Sequence, residues 1–388
     1  MKPRKISIVS VARSDAGIYL PILKAIKQHP KLDFNLIVAA MHLSHEFGLT
    51  YKYFEEQGFD IDDKIEMTMS SDTPEGLAKS MGLGLISFGQ LFAKSKPDML
   101  MLLGDRFEML SAANAAMPFA IPIIHLHGGE ATEGLIDEQI RHSITKMSHL
   151  HFVSTKEYYN RVLQLGEDPW RITLSGAPSL DSLNQIKVWS QKKLEKKINL
   201  SLNNPTILAT LHPVTLEYKE TNFHINCFLE ALEKVRTQVV FTYPNSDTSG
   251  RIIIDEIEKF VEKHDWASSV TNFGQEGYFS MLKYASAMVG NSSSGIIESA
   301  SFDLPVVNIG NRQLGRVKSF NVIDVDYNKL EIVNAIKLAI TSDFKKKLIN
   351  MKNPYGDGSA SKKIVDTISE VSINKKLIIK NFYNLGNK

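Results

Sequence analysis

Apolar positions along this chain switch repeatedly between two periods. Short runs dense in Ile, Val, Leu and Met alternate with longer stretches whose apolar residues recur every three or four positions. In the first half the short runs predict strands at Ile6–Ala12, Phe34–Ala40, Met99–Gly104, Ile121–His127, His151–Ser154 and Ile172–Ser175. Helices are predicted between them, through IYLPILKAIKQ, GLAKSMGLGLISFGQLFAKS and DEQIRHSITKMS. Helix-sized connections between consecutive strands imply parallel βαβ units, because a parallel crossover needs that length. MLMLLG is apolar throughout, as a strand covered on both faces should be.

A lysine-rich stretch, KVWSQKKLEKKINLSLNNP, then interrupts the alternation and reads as a connector, helical in part. Beyond it the pattern restarts with TILATLHP, VVFTYPN, a short strand near Val270, AMVGN and PVVNIG, separated by helices through FLEALEKVR, IIIDEIEKFVEKH and YFSMLKYAS. The expected organisation is a Rossmann-like domain over 1–182, a linker over 183–204, a second Rossmann-like domain over 205–365 and a helical tail over 366–388. Two doubly wound α/β domains of this kind are expected to face each other across a cleft with their strand C-termini.

The composition narrows the function. Net charge is +2 over 388 residues, so no basic field invites nucleic acid, and any anion site must be built locally. The one cysteine, Cys227, excludes an internal disulfide framework and a cysteine-rich zinc site, and it reads as a small buried hydrophobe. No signal-like segment opens the chain, and no apolar run approaches the roughly 20 residues that span a bilayer. A soluble cytoplasmic protein is expected.

Ligands of doubly wound sheets gather beyond the strand C-termini, so the residues there are the candidates. After the first strand, RSDAG places Arg13 at a helix start with Ser14 or Asp15 as its cap, a good phosphate site but not a GxGxxG turn. Gly104-Asp105-Arg106 follows the third of the predicted strands, and HLHGGE the next, with His125 and His127 spaced to share a strand face and Glu130 close behind. Asp137 begins a helix. Three acids at one rim, Asp105, Glu130 and Asp137, suit acid/base work, although each could instead cap a helix or hold an ion pair. The two histidines could also bind a metal, but no HExxH-type spacing supports it.

In the second half GNSSSGIIE offers backbone N–H groups and the hydroxyls of Ser292 and Ser293 to a diphosphate, with Gly295 in the turn and Glu298 placed to take both hydroxyls of a ribose. Arg312 and Arg316 in GNRQLGR, His212 in LHP and Asn245 in YPNSD stand at the same rim.

Taken together, GDRFE, HLHGGE, DEQIRHSITKMSHLHF, LHPVT, YPNSD, GNSSSGIIE, GNRQLGR and YGDG resemble the hydrolysing UDP-N-acetylglucosamine 2-epimerases of bacterial sialic-type acid pathways. The match runs from about Arg13 to beyond Tyr355. The resemblance implies a GT-B fold, no nicotinamide and no obligatory metal, and a homodimer or homotetramer. It implies Asp105, Glu130, Asp137 and His212 as catalytic residues. UDP contacts would come from Arg13, Asn245, Ser292, Ser293, Glu298 and Arg312, with His42 near the sugar-diphosphate. The implied reaction removes the C2 proton as UDP leaves C1, then hydrates the glycal, giving free N-acetylmannosamine from UDP-N-acetylglucosamine. A second substrate is UDP-2,4-diacetamido-2,4,6-trideoxyglucose, on the legionaminic acid route. In this chain Ala16 stands where relatives carry an aromatic residue, a departure that could make room for a 4-acetamido group. A GT-B glycosyltransferase and a non-catalytic nucleotide-sugar sensor are the other classes open, and the three acids speak against a sensor.

Overall fold

The computed structural model describes residues 3–45, 48–69, 73–132, 136–184, 186–244 and 250–386. Two compact units account for the chain: one takes most of it up to Asn184 together with Tyr355–Lys388, the other Gln185–Pro354.

The first unit is built on seven parallel strands: β1 (Arg4–Ser10), β2 (Leu32–Ala39), β3 (Asp63–Ile65), β4 (Met99–Leu103), β5 (Ile123–Leu126), β6 (Leu150–Val153) and β7 (Ile172–Leu174). Their order across the sheet is β3-β2-β1-β4-β5-β6-β7. Every residue of β4, β5 and β6 is buried, which is why these runs lack polar alternation. The order reverses between β1 and β4, paired with Ile6 against Met99, and this is where such sheets open a crevice.

Six parallel strands form the second unit's sheet: β8 (Thr206–Thr210), β9 (Gln238–Thr242), β10 (Ala267–Val270), β11 (Ala287–Gly290), β12 (Val306–Ile309) and β13 (Val322–Val325), in the order β10-β9-β8-β11-β12-β13. Its reversal falls between β8 and β11, where Gly290 lies opposite Thr210. The two α/β Rossmann-like parallel-sheet domains expected from the alternation are present.

Two expectations need correction. The edge strands β3 and β13 are additional; they are short and largely half-exposed, so they carry no buried run to read. The lysine-rich connector is helical in part as expected, over Gln191–Ile198, whose Leu194 and Ile198 are fully buried. Residues from Tyr355 onward cluster with the first unit, where the sequence pattern divides them between the second domain and a helical tail. Ile364, Ile368 and Leu377 join the first sheet's core, and fully burying such a side chain is worth about 1.5–3 kcal/mol. Asp181 accepts from the backbone N–H groups of Ala360 and Ser361, capping the helix Ala360–Glu370. Buried Arg171 donates to the carbonyls of Lys376, Leu377 and Ile379 at 2.8, 2.9 and 3.1 Å. No helix among the described residues is long and apolar enough to cross a membrane.

Candidate functional site

At the end of β1 the backbone turns into the helix Arg13–Lys27. Its N-cap is Ala12, not Ser14 or Asp15; buried Asp15 reaches back instead, its Oδ2 accepting from the N–H groups of Val11 and Ala12 at 2.8 and 3.1 Å. That leaves Arg13 exposed on the first turn. Ala16 is fully buried within the first unit's apolar core. Its small side chain therefore serves packing, which removes the idea that it clears space for a larger sugar.

His42 follows β2 and is also fully buried. Both of its ring nitrogens are engaged, Nε2 with Ser10 Oγ and Nδ1 with Thr50 Oγ1, each at 2.8 Å. Burial, with Arg106 adding to it, pushes its pKa down to about 4. The neutral ring ties β1 to the segment after β2.

The GDRFE segment after β4 builds a charged platform. Arg106 forks onto Glu108, with Nε to Oε2 at 3.2 Å and Nη2 to Oε1 at 3.1 Å. Burial alone would lower the Arg106 pKa, but Glu108, Asp15 and Asp137 outweigh it and raise it. Asp137 opens the helix Ile136–Met147 and is four residues from Arg141, hence on the same helical face. Arg141 is 2% exposed. It pairs with Asp105 through Nη2 and reaches Glu130 Oε2 through Nη1 at 3.5 Å.

Glu130 is 3% exposed and accepts three ways. Besides Arg141, its Oε1 takes Ser154 Oγ at 2.8 Å and His127 Nδ1 at 2.6 Å. The turn before it needs glycine at Gly129, whose φ is +76° and whose added Cβ would stand 2.7 Å from the Tyr158 carbonyl. The two histidines of HLHGGE part company. His125, inside β5, donates from Nε2 to the Gly104 carbonyl at 2.8 Å, and burial lowers its pKa to about 3. His127 lies beyond the strand with φ +61°, so the alternation that would give them one face ends at Leu126. Among the described residues no group of three or more His, Cys, Asp or Glu side chains is arranged to hold a metal ion.

The structure thus brings Asp105, Glu130 and Asp137 of the first unit around two arginines. Asp105, 21% exposed at its side chain, remains open to solvent, whereas Glu130 lies beneath. The sequence named the acids but not Arg106, Arg141, Glu108 or Ser154. GDRFE and DEQIRH contain three of these, yet nothing local says which acid each arginine meets.

In the second unit Asn291 is the hub. It is fully buried; its Oδ1 accepts from the His212 N–H at 2.7 Å and its Nδ2 donates to the His212 carbonyl at 2.8 Å. The Asn291 carbonyl in turn accepts from Arg312 Nη1 at 3.1 Å and Gln313 Nε2 at 2.9 Å. His212, Ser292, Ser293, Gly295 and Arg312 therefore belong to one rim. Burial, then Arg312, pushes the His212 pKa down to about 3. The helix after the serine turn is shorter than expected, Ser294–Ile297 followed by a 3₁₀ turn at Ser299–Phe302, and Glu298 closes it as the C-cap. Ser292 Oγ accepts from the Ser294 N–H at 3.3 Å, and its hydroxyl also meets the Tyr278 side chain. Asn245 lies outside the described residues.

A family model described as UDP-N-acetylglucosamine 2-epimerase matches residues 24–369. The chain is 40% identical over 388 residues to the GDP/UDP-N,N'-diacetylbacillosamine 2-epimerase (hydrolyzing) of Campylobacter jejuni, covering 99% of this chain and 100% of that one. It is 34% identical over 377 residues to the UDP-N,N'-diacetylbacillosamine 2-epimerase (hydrolyzing) of Legionella pneumophila, covering 97% and 98%. Among solved structures, UDP-GlcNAc 2-epimerase from Neisseria meningitidis bound to UDP-GlcNAc is similar at a TM-score of 0.81 and 20% identity, covering 94% of this chain and 99% of that one. At that identity the likeness speaks for the fold, the GT-B class. By the match of the family model across most of its length, the chain belongs to the UDP-N-acetylglucosamine 2-epimerase family.

Proposed function

We propose that this chain is a hydrolysing 2-epimerase acting on a UDP-linked 2-acetamido sugar, with UDP-2,4-diacetamido-2,4,6-trideoxyglucose (UDP-N,N'-diacetylbacillosamine) as its substrate. The observation that carries the reaction is the array on the first unit's rim, where Arg141 joins solvent-open Asp105 to buried Glu130, and Asp137 stands near Arg106. Cations beside the acids hold them in place, as proton transfer at a sugar carbon requires.

In this reading the C2–H proton is taken by the first unit's acid/base array and the C–H electron pair forms the C1=C2 bond. The C1–O bond breaks and UDP leaves with its electrons. Water then adds to C1, and a proton returns to C2 from the opposite face. UDP is assigned to Arg13, Ser292, Ser293, Gly295, Glu298 and Arg312, with Asn245 carried over from the resemblance and His212 near the departing phosphates. Donors and cations on the diphosphate oxygens stabilise the charge that develops there. His42, closed on both nitrogens, acts by holding the β1 end in place.

UDP-N-acetylglucosamine ranked first on sequence alone. The names of the relatives at 40% and 34% identity put the 4-acetamido sugar ahead, and Ala16 no longer bears on the choice. Purified protein incubated with UDP-N-acetylglucosamine, UDP-N,N'-diacetylbacillosamine and its GDP counterpart decides the matter by nucleotide release without any acceptor. Release from the UDP-diacetamido sugar alone supports the reading, and preference for UDP-N-acetylglucosamine overturns the substrate. No release from any of the three overturns the reaction.

A further inference from the structure

His127 bears two costs at once. Its backbone sits at φ +61°, a left-handed conformation uncommon for residues with a Cβ. Its side chain is buried, the residue being 8% exposed, and ring Nε2 has no hydrogen-bond partner. The other nitrogen, Nδ1, is firmly held, 2.6 Å from Glu130 Oε1, and Glu130 is itself fastened by Ser154 and Arg141. A carboxylate at Nδ1 keeps the proton on that nitrogen, so the neutral ring offers a bare lone pair at Nε2. This is the arrangement of a base oriented by a third group.

We propose that His127 is the group that exchanges a proton with the sugar, and that Glu130 acts through it as the positioning residue rather than as the base. This rests on the proposed epimerase reading and deepens it. In the elimination the C2–H proton passes to Nε2, the C–H electron pair becomes the C1=C2 bond, and UDP departs with the C1–O pair. The imidazolium so formed is stabilised by Glu130 at Nδ1. The proton is lost to water before the next turn, while the C2 proton of the product arrives on the opposite face. It comes from the water that adds to C1, relayed by the Asp105 or Asp137 carboxylate, which takes it from that water and passes it to C2.

The test exploits the strained backbone. Glycine enters the left-handed region freely, so His127→Gly relieves the conformation while deleting the ring. His127→Asn, which also tolerates that region, is the second variant and carries no transferable proton. Both are compared with the wild type by UDP release from the preferred nucleotide sugar, after their fold is checked by circular dichroism. Turnover is expected to fall at least ~100-fold in each, with UDP affinity within about threefold, and added imidazole should restore part of the activity of His127→Gly alone. Glu130→Gln should lower kcat while leaving KM nearly unchanged. A folded His127→Gly or His127→Asn enzyme within about threefold of wild-type turnover overturns the proposal, as does failure of imidazole to raise the activity of folded His127→Gly. If the wild type itself releases no UDP, the epimerase reading fails and this inference with it; an active wild type beside active variants defeats this inference alone.

Discussion

Asn291 and His212 grip each other through a reciprocal pair of hydrogen bonds, N–H to Oδ1 at 2.7 Å and Nδ2 to carbonyl at 2.8 Å. The side-chain amide of one residue thereby satisfies both backbone groups of the other, across the strand-order reversal of the second sheet. Asn291→Ala would leave two buried backbone groups without partners. Each such loss costs about 1–3 kcal/mol, so a destabilisation of about 2–6 kcal/mol is expected. Urea denaturation measures it, and UDP affinity should fall with it because the His212 segment loses its side-chain tether to the serine turn.

Gly290 precedes this hub with φ +136°, and a Cβ there would stand 1.9 Å from the Thr210 carbonyl oxygen. The obstacle is backbone, so it cannot swing aside. Gly290→Ala is expected to cost on the order of 3 kcal/mol or more and to abolish UDP binding, as read by thermal melting and by titration calorimetry with UDP.

Arg141 is the shared cation of Asp105 and Glu130. Replacing it by an apolar side chain of similar length takes the arginine counter-charge from buried Glu130. Arg141→Met should therefore lose about 3–5 kcal/mol of stability and all measurable turnover. Glu130→Gln in the same background should recover part of the stability but none of the activity, a pattern that denaturation and UDP-release assays together reveal.

The protein should weaken as pH falls below about 6.5. Burial holds His42 and His149 down to about 4, and His125 and His212 down to about 3. Unfolded imidazole binds its proton near pH ~6.5, whereas these folded rings stay neutral. Between that pH and the folded values the unfolded state therefore holds more protons, and stability rises with pH. Each group contributes a slope approaching ~1.4 kcal/mol per pH unit. Urea midpoints between about pH 6.5 and about pH 5 check the sign, and His125→Gln should flatten the dependence by one group's share.

Much of the fold was legible because buried parallel strands announce themselves. MLMLL is apolar at every position and TILAT at its three central ones, as strands covered on both sheet faces should be. The edge strands Asp63–Ile65 and Val322–Val325 were not legible, since an element covered on fewer sides has no reason to be apolar throughout. The helix Ala360–Glu370 shows its amphipathic face in sequence, but an apolar stripe does not say which sheet will cover it.

The candidate site divides in the same way. The positions of Asp105, Glu130, Asp137 and the serine turn follow from the rule that strand ends carry chemistry, so the sequence alone determined where to look. Which groups are joined was decided only by tertiary structure. Arg141 chooses Asp105 and Glu130, and His127 turns from the strand face toward Glu130 with one nitrogen left bare. The reason is range: hydrophobic periodicity is a local property of the chain, whereas the pairing of charges depends on distances set by how several elements pack.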